Sequence, residues 1–166
     1  SMMRPINNYI LITIPFVYVL ETLERWERDQ LESGFKFELN PIFQRGHVWT
    51  EDQQIKYIEW ILRDGESGRD IYFNHPAWDN SYKADMVCVD GLQRLTAIKR
   101  FLHNEIKAFD MYYRDIGKIS NNNVLNFHVG SFTEKEAIEW YLEMNFTGTP
   151  HTEEELQRVK ILLDSI

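Results

Sequence analysis

The sequence predicts a single α+β domain with a helical C-terminal part, and three observations support this fold class. Short apolar or alternating segments typical of strands are interspersed with segments of helical periodicity. Capping boxes, in which a hydroxyl residue precedes Glu or Gln by three positions, mark helix starts at Thr50, Thr133 and Thr152. The 166 residues are 43% hydrophobic and 14% aromatic, which supports a buried core and excludes a disordered chain. We therefore expect one domain over residues 1–166, with a core at about 9–130 and a helical part at about 131–166.

The first third of the chain predicts two strands around a helix. Residues 9–14 are apolar and predict a strand that ends at Pro15. Leu20, Leu23 and Trp26 then follow at helical spacing. Residues 35–39 alternate between apolar and polar, which predicts a half-buried strand.

The middle of the chain predicts a helix followed by a strand pair. The helix that begins after Thr50 has isoleucines at helical spacing and is expected to end near Asp64-Gly65. Residues 70–74 predict a strand, and residues 78–81 a turn. Residues 82–89 predict a second strand, antiparallel to the first, whose apolar run at 86–89 is typical of a strand buried on both faces.

The remaining elements alternate before the chain becomes helical. After Asp90-Gly91, apolar residues at helical spacing predict a helix that contains Leu95 and Leu102. Residues 106–109 and 125–129 predict short strands on either side of the polar loop 114–123. The two C-terminal capping boxes each precede an amphipathic helix.

Charge and cysteine content exclude several classes of protein. The net charge of −8, from 26 acidic and 18 basic residues, argues against a dedicated binder of duplex DNA. From Ser131 onward there are eight acidic and three basic residues, so the preceding part is nearly balanced and can hold local basic pockets. One cysteine excludes an intramolecular disulfide and a multi-cysteine zinc site. No apolar run is long enough to cross a bilayer, so we expect a cytoplasmic protein without membrane contact.

Residues 87–96 form the most informative segment, because a buried strand passes through a glycine directly into a helix. The first turn of a helix leaves N–H groups unsatisfied and carries a positive dipole end, which favours phosphate. Arg94 lies in this turn, and its planar guanidinium group carries several N–H donors that can bind an anion together. Asp90 either caps the helix or holds a divalent cation beside that anion. The alternative is an ordinary Asp-Gly turn with a capping Asp90 and a surface Arg94.

Two further segments carry polar residues at turns. Residues 41–49 follow a proline and could present Arg45 to a phosphate, with Phe43 or Trp49 as an apolar surface for a base. Alternatively, those aromatic residues staple the helix start and Arg45 is solvated. Residues 143–150 end one helix and lead into the next, as an ordinary helix–turn–helix joint does.

These three segments, in this order, resemble the DUF262 family, the type that occurs as the N-terminal domain of GmrSD. Its members carry a proline-led aromatic-Gln-Arg segment ending in Trp, an Asp-Gly-Gln-Gln-Arg signature, and an Asn-x-x-Gly-x-Pro joint before a Glu-rich helix. The corresponding residues are 41–49, 90–96 and 145–150, and the resemblance covers roughly residues 37–156. Each motif alone is weak, whereas three at matching spacing are fairly specific.

The resemblance implies a ParB/sulfiredoxin-like mixed sheet with flanking helices, in which the Asp-Gly-x-x-Arg turn binds nucleotide phosphates. Asp90 and Arg94 would be the catalytic residues of an NTPase, with NTP and Mg²⁺ as cofactors and Asp90 as the metal ligand. Members in phage-restriction systems are usually joined to a nuclease, so a separate nuclease or another protein is the expected partner. The phosphate-binding residues implied by the resemblance are Gln44, Arg45, Gly91, Gln93, Arg94 and Thr96.

Two departures from the family pattern leave the activity open. Leu92 replaces the first Gln of the signature, which removes one polar contact and makes hydrolysis an open question. Because the 166 residues leave no room for an HNH-type nuclease, we expect none within them, and we interpret residues 103–105 as a turn rather than a nuclease motif. Cys88 is expected to be a buried core thiol. The alternative functions are a non-catalytic interaction or regulatory module, such as a phage-encoded antagonist that keeps the fold, and a weaker one, a binder of the DNA backbone.

Overall fold

The structure is a computed structural model that describes residues 9–41, 48–78, 83–147 and 153–166. Within these residues the chain forms a five-stranded mixed sheet with helices on both faces. The α+β class with a helical C-terminal part is therefore confirmed. The finer ParB/sulfiredoxin-like assignment stays a prediction.

The five strands of the described chain lie in the order β1-β5-β3-β4-β2. Neighbours pair antiparallel in β1–β5 and β3–β4, and parallel in β5–β3 and β4–β2. The strands are β1 (Tyr9–Pro15), β2 (Phe37–Glu38), β3 (Asp70–Asn74), β4 (Met86–Asp90) and β5 (Val124–Gly130). Thus β3 and β4, which are adjacent in sequence, form the predicted antiparallel pair, and the late strand β5 separates β3 from β1.

The helices begin and end close to the predicted positions. At the start of the second helix, the Thr50 side chain accepts from Gln53 N and the Gln53 side chain accepts from Thr50 N, so this capping box is confirmed. A matching pair of bonds joins Thr133 and Glu136. Thr152 lies outside the described residues. The helices are α1 (Val19–Glu32), α2 (Glu51–Leu62), α3 (Leu92–Leu102), α4 (Glu134–Thr147) and α5 (Glu153–Asp164).

Two apolar cores lie on opposite faces of the sheet. Because side chains alternate along a strand, Phe73 packs into the first core and Tyr72 against the second. The helices α1, α2 and α3 cover the first face, whereas α4 and α5 cover the second. Representative buried residues of the first core are Phe16, Leu23, Ile58, Phe73, Leu95, Ile98 and Phe127, and those of the second are Val89, Ile138, Trp140, Tyr141 and Val159.

Three predicted strands differ from the observed structure. The prediction of a strand at 106–109 is wrong. Phe109 and Asp110 have φ values of 52° and 59° and reverse the chain between Ala108 and Met111. The strand at 35–39 is reduced to two residues. The strand predicted at 82–89 begins later, since residues 83–85 have no strand structure and the strand covers Met86–Asp90; residue 82 lies outside the described residues. Among the described residues, no helix is long and apolar enough to span a membrane.

Candidate functional site

Gly91 forms the tight connection between β4 and α3. Its φ of +117° is rarely adopted by residues with a side chain. A Cβ atom placed here would lie 2.8 Å from Cδ1 and 3.1 Å from Cγ2 of Ile71 on β3. Glycine therefore lets the strand turn directly into the helix while the backbone passes close to the neighbouring strand.

Asp90 is the last residue of β4 and is half-buried. It lies opposite Tyr72, at a shift in the register that passes over Val89. The N-cap position of α3 belongs to Gly91, one residue after Asp90. The role of Asp90 as a ligand for Mg²⁺ stays a prediction.

The backbone N–H groups in the first turn of α3 are candidate donors to an anion. Leu95 N donates to Gly91 O, which closes the first intrahelical bond, so the three preceding N–H groups have no partner within the helix. No acidic residue occupies this described first turn. Leu92, Gln93 and Arg94 are half-buried, so the turn is partly accessible to solvent. This end of the helix therefore has the electrostatic character that favours an anion.

Arg94 reaches back from α3 to the beginning of β3, where its Nη1 donates to Asp70 O at 2.8 Å. Carbonyls alternate in direction along a strand, and that of Arg69 accepts from Asn126 N at 2.8 Å on the β5 side. The Asp70 carbonyl therefore faces the β4 side, but β4 ends opposite Tyr72. Arg94 supplies the donor that the strand no longer provides.

This is the one hydrogen bond of the Arg94 guanidinium within the described part of the chain, and none of the ion pairs there includes it. A guanidinium carries five N–H donors. The arrangement thus fixes the side chain at one nitrogen and leaves most of its donors for another acceptor. With respect to the described residues, Arg94 is therefore not locked in a salt bridge, and its side chain is half-buried.

Gln93 joins the second sequence segment to the first. Its Oε1 accepts from Trp49 N at 2.9 Å, although the two residues are 44 positions apart. Trp49 is half-buried and its ring lies 5.4 Å from that of Tyr57. The structure therefore brings the end of the 41–49 segment to the first turn of α3. Gln44 and Arg45 lie outside the described residues.

The hydroxyl of Thr96 donates to Leu92 O at 2.8 Å, inside α3. The proton of this hydroxyl is thus engaged by the helix itself. Thr96 lies one turn beyond Leu92, and its predicted contact with phosphate stays a prediction. In the third motif, residues 148–150 lie outside the described residues, and the structure describes only the backbone of Asn145.

Tyr57 and Arg69 are further residues of this region that no sequence pattern indicated, and the charges of both Arg94 and Arg69 act on the Tyr57 phenol. Burial raises the pKa of the Tyr57 phenol well above its usual range, whereas the nearby charges of Arg94 and Arg69 act in the opposite direction. The phenol donates to Gly68 O at 2.6 Å. Two guanidinium groups and the Asp70 carboxylate therefore act together on this phenol.

Arg69 itself has a structural role. Its guanidinium donates to Gly65 O at 2.7 Å, to Val124 O at 2.8 Å and to Asn123 Oδ1 at 2.8 Å. These bonds join the end of α2 to the beginning of β5. Arg69 therefore contributes charge to the site while its donors are occupied by the fold.

The chain also places a carboxylate beside an imidazole, a pair that no sequence pattern indicated. Asp70 Oδ1 lies 2.8 Å from His128 Nε2, and the His128 ring stacks on Tyr72 at 4.5 Å. His128 is buried, whereas nearly half of the Asp70 side chain is exposed. Because the two residues are 58 positions apart, only the pairing of β3 with β5 brings them together.

Other predicted features outside the turn are confirmed. Residues 103–105 form a turn in which Asn104 has a φ of 60°. Cys88 is completely buried, and burial raises the pKa of its thiol well above the usual range. Among the described residues, no group of three or more His, Cys, Asp or Glu is placed to hold a metal ion. A magnesium site of one carboxylate and substrate phosphates needs no such group.

Comparison with known proteins gives one family match. A family described as "GmrSD restriction endonuclease, N-terminal domain" matches residues 28–115, which is just over half of the chain. The matched part contains the 41–49 segment and the β4–Gly91–α3 turn. Neither the curated proteins nor the solved structures gave a significant match.

Proposed function

Because this chain belongs to the family of GmrSD restriction endonuclease N-terminal domains, we propose that it binds the phosphates of a nucleoside triphosphate at the N-terminus of α3. The site would consist of the backbone N–H groups after Gly91 and the guanidinium of Arg94. Gln93 would keep the 41–49 segment beside it through Trp49 N. Gln44 and Arg45, on that segment, are proposed as further phosphate ligands.

The observation that carries this proposal is the position of the Arg94 guanidinium. One nitrogen is held at 2.8 Å by Asp70 O, and the side chain lies at a helix N-terminus whose described first turn has no acidic residue. A cation at this end of a helix is unfavourable unless an anion lies nearby. A phosphate group would satisfy both the remaining guanidinium donors and the helix N–H groups.

We further propose that Asp90 supports hydrolysis of the bound nucleotide. It is half-buried at the end of β4, one residue before the proposed phosphate site. A carboxylate there would hold Mg²⁺ against the phosphate oxygens or orient a water molecule. Leu92, where the family signature has Gln, supplies no hydrogen bond, so slow turnover is expected.

The family description supports a role in restriction, and we propose that a nuclease is the partner of this domain. The nucleotide site would then act as the controlling element, while DNA cleavage would depend on the nuclease. The net charge of −8 fits this division, because it leaves little electrostatic attraction for DNA in the domain itself.

The test is a thermal-shift and phosphate-release screen with the four NTPs, with and without Mg²⁺. A ligand at about a hundred times its Kd stabilises the folded state by about 2.7 kcal/mol, which corresponds to a shift of roughly 5–10 °C for a domain of this size. Arg94→Ala should abolish the shift, and Arg94→Lys should keep part of it. Arg28→Ala, at an exposed position on α1, is the matched control and should leave the shift unchanged.

Phosphate release separates binding from catalysis. Asp90→Asn should retain a nucleotide-dependent shift and lose release. A shift without release in the unmodified protein would support a nucleotide-binding regulatory module instead of an NTPase. The proposal fails if no NTP shifts the melting temperature under either condition.

A further inference from the structure

Asp70 makes hydrogen bonds in two directions, one with its backbone and one with its side chain. Its carbonyl oxygen accepts from Arg94 Nη1 at 2.8 Å, on the β4 side. Its carboxylate Oδ1 lies 2.8 Å from His128 Nε2, on β5. Because an ionised carboxylate can only accept, the imidazole is the donor in this second bond. One residue at the beginning of β3 therefore links the proposed phosphate ligand on α3 to a histidine on β5.

The Asp70 carboxylate and the Arg94 side chain come from opposite faces of the sheet. Side chains alternate along a strand, so Asp70 shares the face of Tyr72, which packs against the second core. The His128 ring stacks on Tyr72 with the ring centroids 4.5 Å apart. Arg94 belongs to α3, which covers the other face. The bond to His128 thus holds the carboxylate on the face that α3 does not occupy.

Without this bond, the Asp70 carboxylate would compete with phosphate for the guanidinium. The carbonyl that holds Arg94 belongs to the same residue, so rotation of the Asp70 side chain to another staggered position would bring the two charges together. Nearly half of this side chain is exposed, which leaves space for the rotation. Carboxylates bind the same paired N–H donors that bind phosphate. As the described residues are arranged, no ion pair joins Asp70 to Arg94, and the carboxylate pairs with His128.

We propose that His128 is a positioning residue of the phosphate site, which holds the Asp70 carboxylate away from Arg94 and so keeps the guanidinium available to phosphates. This inference rests on the proposed nucleotide site and adds the residue that prevents the chain from neutralising its own cation. A purely structural His128 would instead act through its ring, which packs on Tyr72. The two roles predict opposite results for two substitutions.

These substitutions separate the hydrogen-bond donor from the ring. His128→Gln keeps an N–H donor near the position of Nε2 and loses the stacked ring, whereas His128→Phe keeps the ring and loses the donor. His128→Phe should raise the Kd of the NTP that gives the largest thermal shift roughly fivefold, because phosphate then has to displace a partly exposed ion pair. His128→Gln should bind almost as tightly as the unmodified protein. A packing role predicts the reverse order.

A substitution of the competitor itself gives the sharpest test. Asp70→Asn leaves the backbone carbonyl in place and has no charge with which to pair with Arg94. When Asp70→Asn is added to His128→Phe, the affinity for the nucleotide should therefore return to that of the unmodified protein or exceed it. Asp70→Asn alone should bind at least as tightly as the unmodified protein, since it removes a negative charge near the phosphates. Isothermal titration calorimetry would measure each Kd, and circular dichroism would establish that each variant is folded.

A measurement without nucleotide tests this inference separately from the proposed function. In ¹H–¹⁵N spectra of arginine side chains, a carboxylate partner slows the rotation of the guanidinium and separates the Nη signals. The Arg94 signals can be assigned by their loss in Arg94→Lys. They should change in this way in His128→Phe and revert when Asp70→Asn is added.

Two results would overturn the proposal. One is a set of Arg94 signals that His128→Phe leaves unchanged, because the carboxylate would then not reach the guanidinium. The other is a folded double variant that binds nucleotide no better than His128→Phe, as loss of packing predicts. If the Arg94 signals respond as expected but no NTP binds the unmodified protein, the positioning of Arg94 by His128 stands and the proposed nucleotide function alone fails.

Discussion

Single residues at the β4–α3 turn show how backbone geometry and chemistry depend on each other. Gly91 permits the positive φ and the close approach to Ile71, and Arg94 then reaches Asp70 O. If the turn widened, the guanidinium would lose its contact at the start of β3. The proposed phosphate site thus depends on a residue that has no side chain.

Gly91→Ala is expected to lower the free energy of unfolding by roughly 1–3 kcal/mol, because it adds backbone strain and a contact of 2.8 Å with Ile71. Two other glycines separate these causes. Gly34 has a φ of +82° but open space around it, so Gly34→Ala should cost about 1 kcal/mol from strain alone. Gly117, with an ordinary φ and open space, should tolerate alanine. Urea denaturation would measure all three, and an equal effect at Gly91 and Gly117 would contradict the argument.

A buried amide fixes the end of β3. The side chain of Asn74 donates to Phe132 O and accepts from Phe132 N, both at 2.9 Å. This reciprocal pair mimics a strand partner and attaches β3 to the segment before α4. It also explains why a polar residue is 98% buried between two aromatic-rich cores, since its hydrogen bonds are satisfied.

At the level of elements, two capping boxes fix the beginnings of α2 and α4. The hydroxyl oxygens of Thr50 and Thr133 each accept from the backbone N–H three residues later, and the backbone N–H of each threonine donates to the side chain of Gln53 or Glu136. The two helices lie on opposite faces of the sheet. Only Thr50 adjoins the proposed site, because Trp49 is bonded to Gln93.

Thr50→Ala and Thr133→Ala should each lower the free energy of unfolding by about 1 kcal/mol through loss of the cap. Only Thr50→Ala should also weaken nucleotide binding, since it loosens the backbone held by Gln93. Serine at either position keeps the hydroxyl and is the matched control. Chemical denaturation and nucleotide titration of the four variants would test both statements. Equal losses of binding in the two alanine variants would show that stability alone is responsible.

At the level of the whole molecule, ionisable groups within the first core link stability to pH. Burial raises the pKa of both the Cys88 thiol and the Tyr57 phenol in the folded state. The folded protein therefore keeps these protons when the unfolded chain has released them. Their stabilising contribution is complete below the ordinary pKa values of 9.0 and 10.0 and decreases as the pH rises above them.

Accordingly, the free energy of unfolding should fall above pH 9.0 by up to about 1.4 kcal/mol per pH unit for Cys88, with a further contribution from Tyr57 above pH 10.0. Cys88→Ala should have a lower stability at neutral pH and a shallower alkaline decline. Denaturation series at several pH values would give both slopes. Parallel slopes for the two proteins would mean that Cys88 does not contribute to the decline.

The sequence by itself determined the features that depend on near neighbours. Examples are the capping boxes, the limits of β3 and the glycine turn before α3. Each depends on residues that are a few positions apart, so the local sequence is enough to predict it. Local patterns did not predict the turn at Phe109 and Asp110, because a bulky residue such as Phe109 rarely adopts the left-handed conformation. There Glu59, on α2, holds the turn through Phe109 N.

Only the tertiary structure decided which distant residues meet. Arg94 and Asp70 are 24 positions apart, and Gln93 and Trp49 are 44 apart. Their contacts depend on where β4 ends beside β3 and on how α2 packs against α3. The placement of β1 at the sheet edge likewise follows from pairing with β5, more than a hundred residues later. Strand order arises from the packing of the whole chain, and a periodic pattern of residues does not contain it.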